Sequence, residues 1–268
     1  MKLTSRQADI SDLLRQKTFI TVDELANKFE VTGQTIRRDI NQLCDLGLAR
    51  RRHGGIVPIS TTGNLAYDSR QALNRIGKVQ IAEGVAKLIS NDSSLSLGIG
   101  TTPEIVMNAL LKHDSLRIFT NSLNIAQIAS ANPSFEINIC GGRVRNADHD
   151  LIGSNAEKFF GSYKTDFGIF GVAGVDLDGG LLDFYEEEVR IRNLIRINCR
   201  ESILVLDHLK FGRAAHVRGG EIQDISKVFC DKRPPRDVCD LLENSGAELI
   251  ICENEIMSDK TEELAIHD

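Results

Sequence analysis

No run of apolar residues in this chain approaches the roughly 18 that would carry a helix across a bilayer; the longest strongly aliphatic stretches are four residues, as at 203–206. A helical membrane protein is excluded. The first twenty residues hold no apolar core of the signal-peptide kind, because Lys2, Arg6, Asp9, Asp12, Arg15 and Lys17 interrupt them, so a cytoplasmic location is expected. Six cysteines, at 44, 140, 199, 230, 239 and 252, include no C-x-x-C pair and no partnered histidine spacing. Zinc knuckles and disulfide scaffolds are therefore excluded, and the thiols read as reduced and mostly buried. There is no repeat and no low-complexity tract. What is present is 268 residues, 41% hydrophobic and 26% charged, which at about 150 residues per domain makes a globular chain of one to two domains.

The net charge of −6 is unevenly placed. Residues 1–57 hold 10 Lys and Arg against 7 Asp and Glu, and the remainder holds 22 against 31. A basic head on an acidic body is expected when one segment meets a polyanion and the other has a different task.

The head reads as three short helices and a basic hairpin. Residues 5–17 carry Ala8, Ile10, Leu13 and Leu14 near helical spacing. Thr21 with Glu24 forms a capping box that opens a second helix through Leu25, Ala26 and Phe29. Thr32 caps a third, in which Ile36, Ile40 and Leu43 turn inward and Gln34, Thr35, Arg37, Arg38, Asn41 and Gln42 face out, ending near Gly47. Behind it 48–56 reads L-A-R-R-R-H-G-G-I, a hairpin carrying Arg50, Arg51, Arg52 and His53. Gln, Asn and Arg side chains match the donor and acceptor patterns of the major groove, so this is the layout of a winged helix-turn-helix. Arg37 and Arg38 diverge by about 100°, which lets one reach a base and the other a phosphate. Alone, each of these groups reads equally as a solvated surface; together they point to DNA.

The expected domains are 1–57, a linker over 58–75, a second domain over 76–252 and an acidic tail over 253–268. In the second, strand-like runs at 95–99, 116–120, 135–140, 166–171, 202–206, 227–230 and 248–252 alternate with helical stretches at 81–89, 103–111, 123–131, 187–199 and 238–245. This pattern means an α/β domain with a largely parallel sheet. Ligands of such folds bind at the carboxyl ends of the strands. There, Gly98 to Pro103 (G-I-G-T-T-P) forms a glycine-rich turn into a helix, suited to a phosphate, with Gly100, Thr101 and Thr102 as contacts. Asn121 and Ser122 follow the next strand, and Gly141, Gly142 and Arg143 the third. The bland alternative is an ordinary strand-to-helix turn.

V-D-E-L-A-N-K-F-E-V-T-G-Q-T-I-R-R-D-I-N-Q-L at 22–43, with R-R-R-H-G-G at 50–55, resembles the amino-terminal signature of the DeoR family of bacterial transcription regulators. The resemblance continues through G-T-T-P-E at 100–104, L-R-I-F-T-N-S-L-N-I-A at 116–126, D-F-G-I-F-G-V-A-G-V-D-L-D-G-G-L-L at 166–182, E-V-R at 188–190 and L-D-H-L-K-F-G-R at 206–213. It implies a sensor domain similar to ribose-5-phosphate isomerase, with a phosphosugar pocket that adds Asp176, Glu187 or Glu188, and Lys210. It also implies a repressor of a carbohydrate or glycerol operon that leaves operator DNA when a phosphorylated effector binds, sn-glycerol 3-phosphate foremost. Members often place an Asp two residues before G-T-T, where this chain has Gly98, and a Ser where it has Leu209. A sugar-phosphate isomerase is the competing class, but it requires a D-G-A-D-E type cluster and a loop lysine that G-V-D-L-D-G-G-L-L lacks. No cofactor, metal or catalytic residue is expected, and a homodimer or homotetramer is.

Overall fold

The computed structural model describes residues 3–17, 19–46, 48–58 and 64–253. The chain divides into two compact units between Arg75 and Ile76.

In the first, helix α1 (Ser5–Gln16) opens on a capping box between Thr4 and Gln7. Strand β1 (Ile20–Thr21) leads into α2 (Val22–Lys28), opened by the expected Thr21–Glu24 box. Helix α3 (Gly33–Asp45) follows, then β2 (Ala49–Arg52) and β3 (Gly55–Pro58), which pair antiparallel as the hairpin. β1 adds itself to β3, so the wing is a three-stranded sheet rather than the two strands expected. Ile10, Leu14, Ile20, Leu25, Ile36, Ile40, Leu43 and Ile56 make one buried core. The segment read as linker contains a helix, α4 (Tyr67–Ala72), whose Ser69 hydroxyl donates to the Leu46 carbonyl. The turn-forming composition that suggested a linker is confined to 58–63; Gly47 and 59–63 lie outside the described residues.

The second unit runs α5 (Arg75–Leu88), β4 (Ser94–Leu97), α6 (Thr101–Leu110), β5 (Arg117–Thr120), α7 (Leu123–Ala129) and β6 (Glu136–Ile139). A hairpin follows, β7 (Arg143–Arg145) with β8 (Asp150–Ile152), then α8 (Ser154–Gly161) and β9 (Thr165–Phe170). β10 (Gly174–Val175) and β11 (Gly180–Asp183) precede α9 (Glu186–Ile197) and β12 (Cys199–Val205). β13 (Val217–Glu221), β14 (Lys227–Cys230), α10 (Arg236–Ser245) and β15 (Glu248–Ile251) complete it.

The seven strands expected from the sequence form one sheet in the order β15-β14-β12-β9-β4-β5-β6, every neighbouring pair parallel. Side-chain alternation gives both faces a core. Leu95, Leu97, Ile118, Ile169, Ile203, Val205 and Phe229 pack with α5, α6 and α7 residues; Phe170, Leu204, Leu206 and Val228 pack with residues of α8, α9 and α10. The order reverses at β4, which places a topological switch point between β4 and β9. A crevice at their carboxyl ends is where ligands of such sheets bind. The β7–β8 hairpin, α8, and the small sheet β10-β11-β13 were not anticipated; their pieces are too short or glycine-rich to show a period.

Candidate functional site

Helix α3 is fixed by its cap, the Thr35 amide donating to Thr32 Oγ1 at 3.2 Å, and by the burial of Ile36, Ile40 and Leu43. That rotation leaves Gln34, Arg37, Arg38 and Asn41 exposed, as expected, while Thr35 and Gln42 are half-buried instead. Gln42 turns inward because its side chain accepts from Gln7 Nε2. Asp39, between the two outward faces, is buried and accepts from Arg6 Nε at 2.7 Å and Gln7 Nε2 at 2.9 Å, fastening α3 to α1. Arg50, Arg51, Arg52 and His53 are all exposed on the wing. Arg51 Nη2 donates to Asn41 Oδ1, so wing and helix present one surface, with the Asn41 amide N–H groups as its offering to an acceptor. Arg52 lies 6.0 Å from the centre of the Phe19 ring.

At the carboxyl edge of the sheet, Gly100 precedes α6 at φ +126, a conformation open to glycine, and no side chain caps that helix. Its first amides and its dipole face the crevice, as an anion site requires. Thr101 and Thr102 are buried there. Position 98 is crowded: a Cβ on Gly98 would lie 3.3 Å from both Ile195 Cδ1 and Phe170 Cβ, so a side chain there requires these neighbours to give by a few tenths of an ångström.

At the next turn Asn121 and Ser122 are buried. Ser122 caps α7, while Asn121 Nδ2 donates to the Leu151 carbonyl at 3.0 Å and its Oδ1, in a side chain only 1% exposed, accepts no hydrogen bond from the described residues. Backbone bonds from Leu151 to Asn121 and from Leu123 to His149 complete the attachment of the β7–β8 hairpin to this edge. Gly141, Gly142 and Arg143 are exposed at the start of that hairpin. Arg145, not Arg143, turns inward. It holds Asp150 through two bonds of 2.9 Å and Glu188 at 2.6 Å, and lies 4.9 Å from the centre of the Tyr185 ring.

Of the glutamates the sequence left open, Glu188 is the one that pairs with Arg145, at 2.6 Å; Glu187 is half-buried on α9, its charge felt by Arg190, which also pairs with Glu186 at 3.3 Å. Asp176 is exposed on the β10–β11 turn, its Oδ1 accepting from the Leu177 amide at 2.8 Å. The carboxylate that the fold brings near Lys210 is Asp183. It is buried, accepts from the Ala173 amide at 2.9 Å and pairs with Arg192 at 3.0 Å. Burial pushes the Asp183 carboxyl above the ordinary aspartate range against the pull of Arg192 and Lys210. Burial does the same to Glu188, with Arg145 opposing and Asp183 adding repulsion. The Lys210 segment reaches this place through the Gly212 amide, which donates to the Val175 carbonyl at 2.8 Å. Asp183, Arg192 and Arg145 went unnoticed because the residues that give them their roles lie up to 43 positions away. Another buried residue, Lys78, had a legible signal: it begins the stripe Lys78, Ile81, Ala82, Val85 that α5 turns inward.

These features define a transcription regulator with a winged helix-turn-helix unit and an α/β sensor unit. Residues 6–62 match the DeoR-like helix-turn-helix domain and residues 73–232 the DeoR C terminal sensor domain. The chain belongs to the DeoR family. Among curated proteins it is 41% identical over 252 residues to the glycerol-3-phosphate regulon repressor of Escherichia coli K12, covering 94% of this chain and 100% of that protein. It is 40% identical to the repressor of the same name from Haemophilus influenzae, covering 96% and 100%, and 36% identical to the HTH-type transcriptional repressor CsqR of Escherichia coli, covering 89% and 92%. Among solved structures, a D-ribose-5-phosphate isomerase in complex with phospho-erythronic acid aligns at 16% identity and a TM-score of 0.37, over 50% of this chain and 52% of that one. The translation initiation factor eIF-2B of Pyrococcus horikoshii aligns at 12% identity and 0.43, over 83% and 86%. The relatives are repressors rather than enzymes.

Proposed function

We propose that this protein represses a glycerol or carbohydrate catabolic operon from the cytoplasm, and that sn-glycerol 3-phosphate releases it from operator DNA. The observation that carries the reading is the full-length match, at 41% identity, to a repressor named for the glycerol-3-phosphate regulon. The site supports it: uncapped α6 behind Gly100 suits a phosphate, with Thr101, Thr102, Asn121 and Ser122 around it, and Lys210 beside Asp183 suits hydroxyls. Residues 1–57 and the sensor over 76–252 divide the two tasks, and Gln34, Arg37, Arg38, Asn41, Arg50, Arg51, Arg52 and His53 meet the DNA.

A ligand lowers operator affinity only by binding the DNA-incompetent arrangement more tightly, and a 100-fold effect needs about 2.7 kcal/mol of coupling. Two recognition helices in a homodimer or homotetramer, spaced by about one turn of duplex, read a paired site. Fluorescence anisotropy of a labelled operator with and without sn-glycerol 3-phosphate tests the reading. Loss of affinity is expected; unchanged affinity at saturating ligand removes this effector, and unchanged affinity across a panel of phosphorylated three- to six-carbon metabolites removes the sensing mechanism.

A further inference from the structure

We propose that Arg6, on α1, is a further DNA contact, gripping a backbone phosphate on the flank of α3 opposite the wing. Its guanidinium Nε donates to Asp39 Oδ2 at 2.7 Å, and its side chain is 32% exposed although Asp39 beneath it is buried. That bond uses one edge of a planar group. Among the described residues Nη1 and Nη2 make no hydrogen bond or ion pair, so the donors they carry stay open to an acceptor from outside. Position decides which acceptor that is. At about 100° per residue, Gln34, Arg38 and Asn41 form the outermost strip of α3. Asn41, with Arg51 upon it, borders the strip on one side; Asp39 lies around the other side, past the half-buried Thr35 and Gln42. Arg51 and Arg6 therefore bracket the strip. A helix in the major groove has a phosphate backbone along each flank, so a cation on the wing side meets one strand and Arg6 the other. The bond to Asp39 serves this twice: it neutralises a carboxylate that would otherwise repel the duplex, and it holds the guanidinium plane before DNA arrives. Gln7, the next residue of α1, donates to Asp39 Oδ1 at 2.9 Å and to Gln42, which fixes the spacing of α1 from α3 and with it the place of Arg6. Arginine, with a directed Nε and an open Nη pair, holds carboxylate and phosphate at once.

The inference rests on DNA binding by the head, and titrating the full chain against two labelled duplexes keeps the two apart. One is an operator selected by wild type from a random pool, the other a duplex of unrelated sequence. Wild type should bind both, the operator more tightly; binding to neither overturns the reading of the head and this contact with it. Arg6→Gln should weaken both by about tenfold and lower the slope of log affinity against log salt by about 1 for each head bound. Arg6→Lys, which keeps the charge, should return the slope to that of wild type. The inference fails if Arg6→Gln leaves the slope at its wild-type value, since Arg6 then only steadies α3 through Asp39, or if Arg6→Lys loses as much slope as Arg6→Gln. If Arg6→Gln does not fold, phenylglyoxal labelling of wild type, read by mass spectrometry, decides: either duplex should shield Arg6 from modification, and equal labelling with and without DNA ends the proposal.

Discussion

On the function proposed above, single side chains on α3 and the wing divide the work of holding DNA, and their roles are separable by experiment. Arg37 is exposed on α3 next to the Asn41 and Arg51 pair. Arg37→Ala should cost about 1–3 kcal/mol on the cognate operator and much less on random duplex if it reads a base; equal losses on both in anisotropy titrations would move it to the phosphate class. Arg51→Ala should weaken binding to both duplexes and lower the slope of log affinity against log salt by about 1. It should also relax discrimination at the base facing Asn41, since the bond from Arg51 sets that amide. The thiols make a second residue-scale case. Burial pushes Cys140 and Cys199 up to about 11, and Cys230 higher still. Their thiolate fraction near neutral pH is therefore very small, and Ellman's reagent at pH 8 should titrate these three slowly in native protein and fast in guanidinium. Prompt native reaction of all three would contradict their burial. Lys78 and Asp39 show how far residue-level reading reaches: a cation or carboxylate on an apolar helical stripe is visible in a sequence, but its partner Thr101 or Arg6 is not.

At the scale of elements, the β7–β8 hairpin is tied to α9 by Arg145 and Glu188. Burial raises the Glu188 carboxyl, so its folded pKa lies above its unfolded one. The stability it contributes is complete below the unfolded pKa, near 4.3, and is lost as pH rises through the folded value. Melting wild type and Glu188→Gln side by side from pH 4.5 to 8 should show wild type losing ground relative to the variant as pH rises; parallel curves would refute the shift. Arg145→Met leaves Glu188 and Asp150 without their cation and should destabilise by about 3–5 kcal/mol, read as a fall in the melting temperature. Elements with a strong period were legible in the sequence: the seven sheet strands through continuous apolar runs, and α3 through Ile36, Ile40 and Leu43. The hairpin, α8 and the β10-β11-β13 sheet were not, since two- to five-residue strands acquire their identity from a neighbour, as β11 does from β13 across a bulge.

For the whole molecule, reading paired half-sites requires more than one copy of the chain. Sedimentation equilibrium at micromolar concentration should give a dimer or larger species, and a single 29.6 kDa component under operator-binding conditions would exclude paired reading. Operator affinity should fall steeply with salt, because a head of 10 Lys and Arg against 7 Asp and Glu displaces counterions from the duplex.

The order of elements, the basic head, the glycine turn at 98–100 and the family signature are properties of neighbours along the chain, and local chemistry settles them: caps, periods of 2 and 3.6, and charge. Which carboxylate meets Lys210, which glutamate of 186–188 pairs with Arg145, what crowds position 98, and that Lys78 meets Thr101 were decided only by tertiary structure. Those contacts join residues 23 to 97 positions apart, where packing and burial, rather than propensity, select the partner.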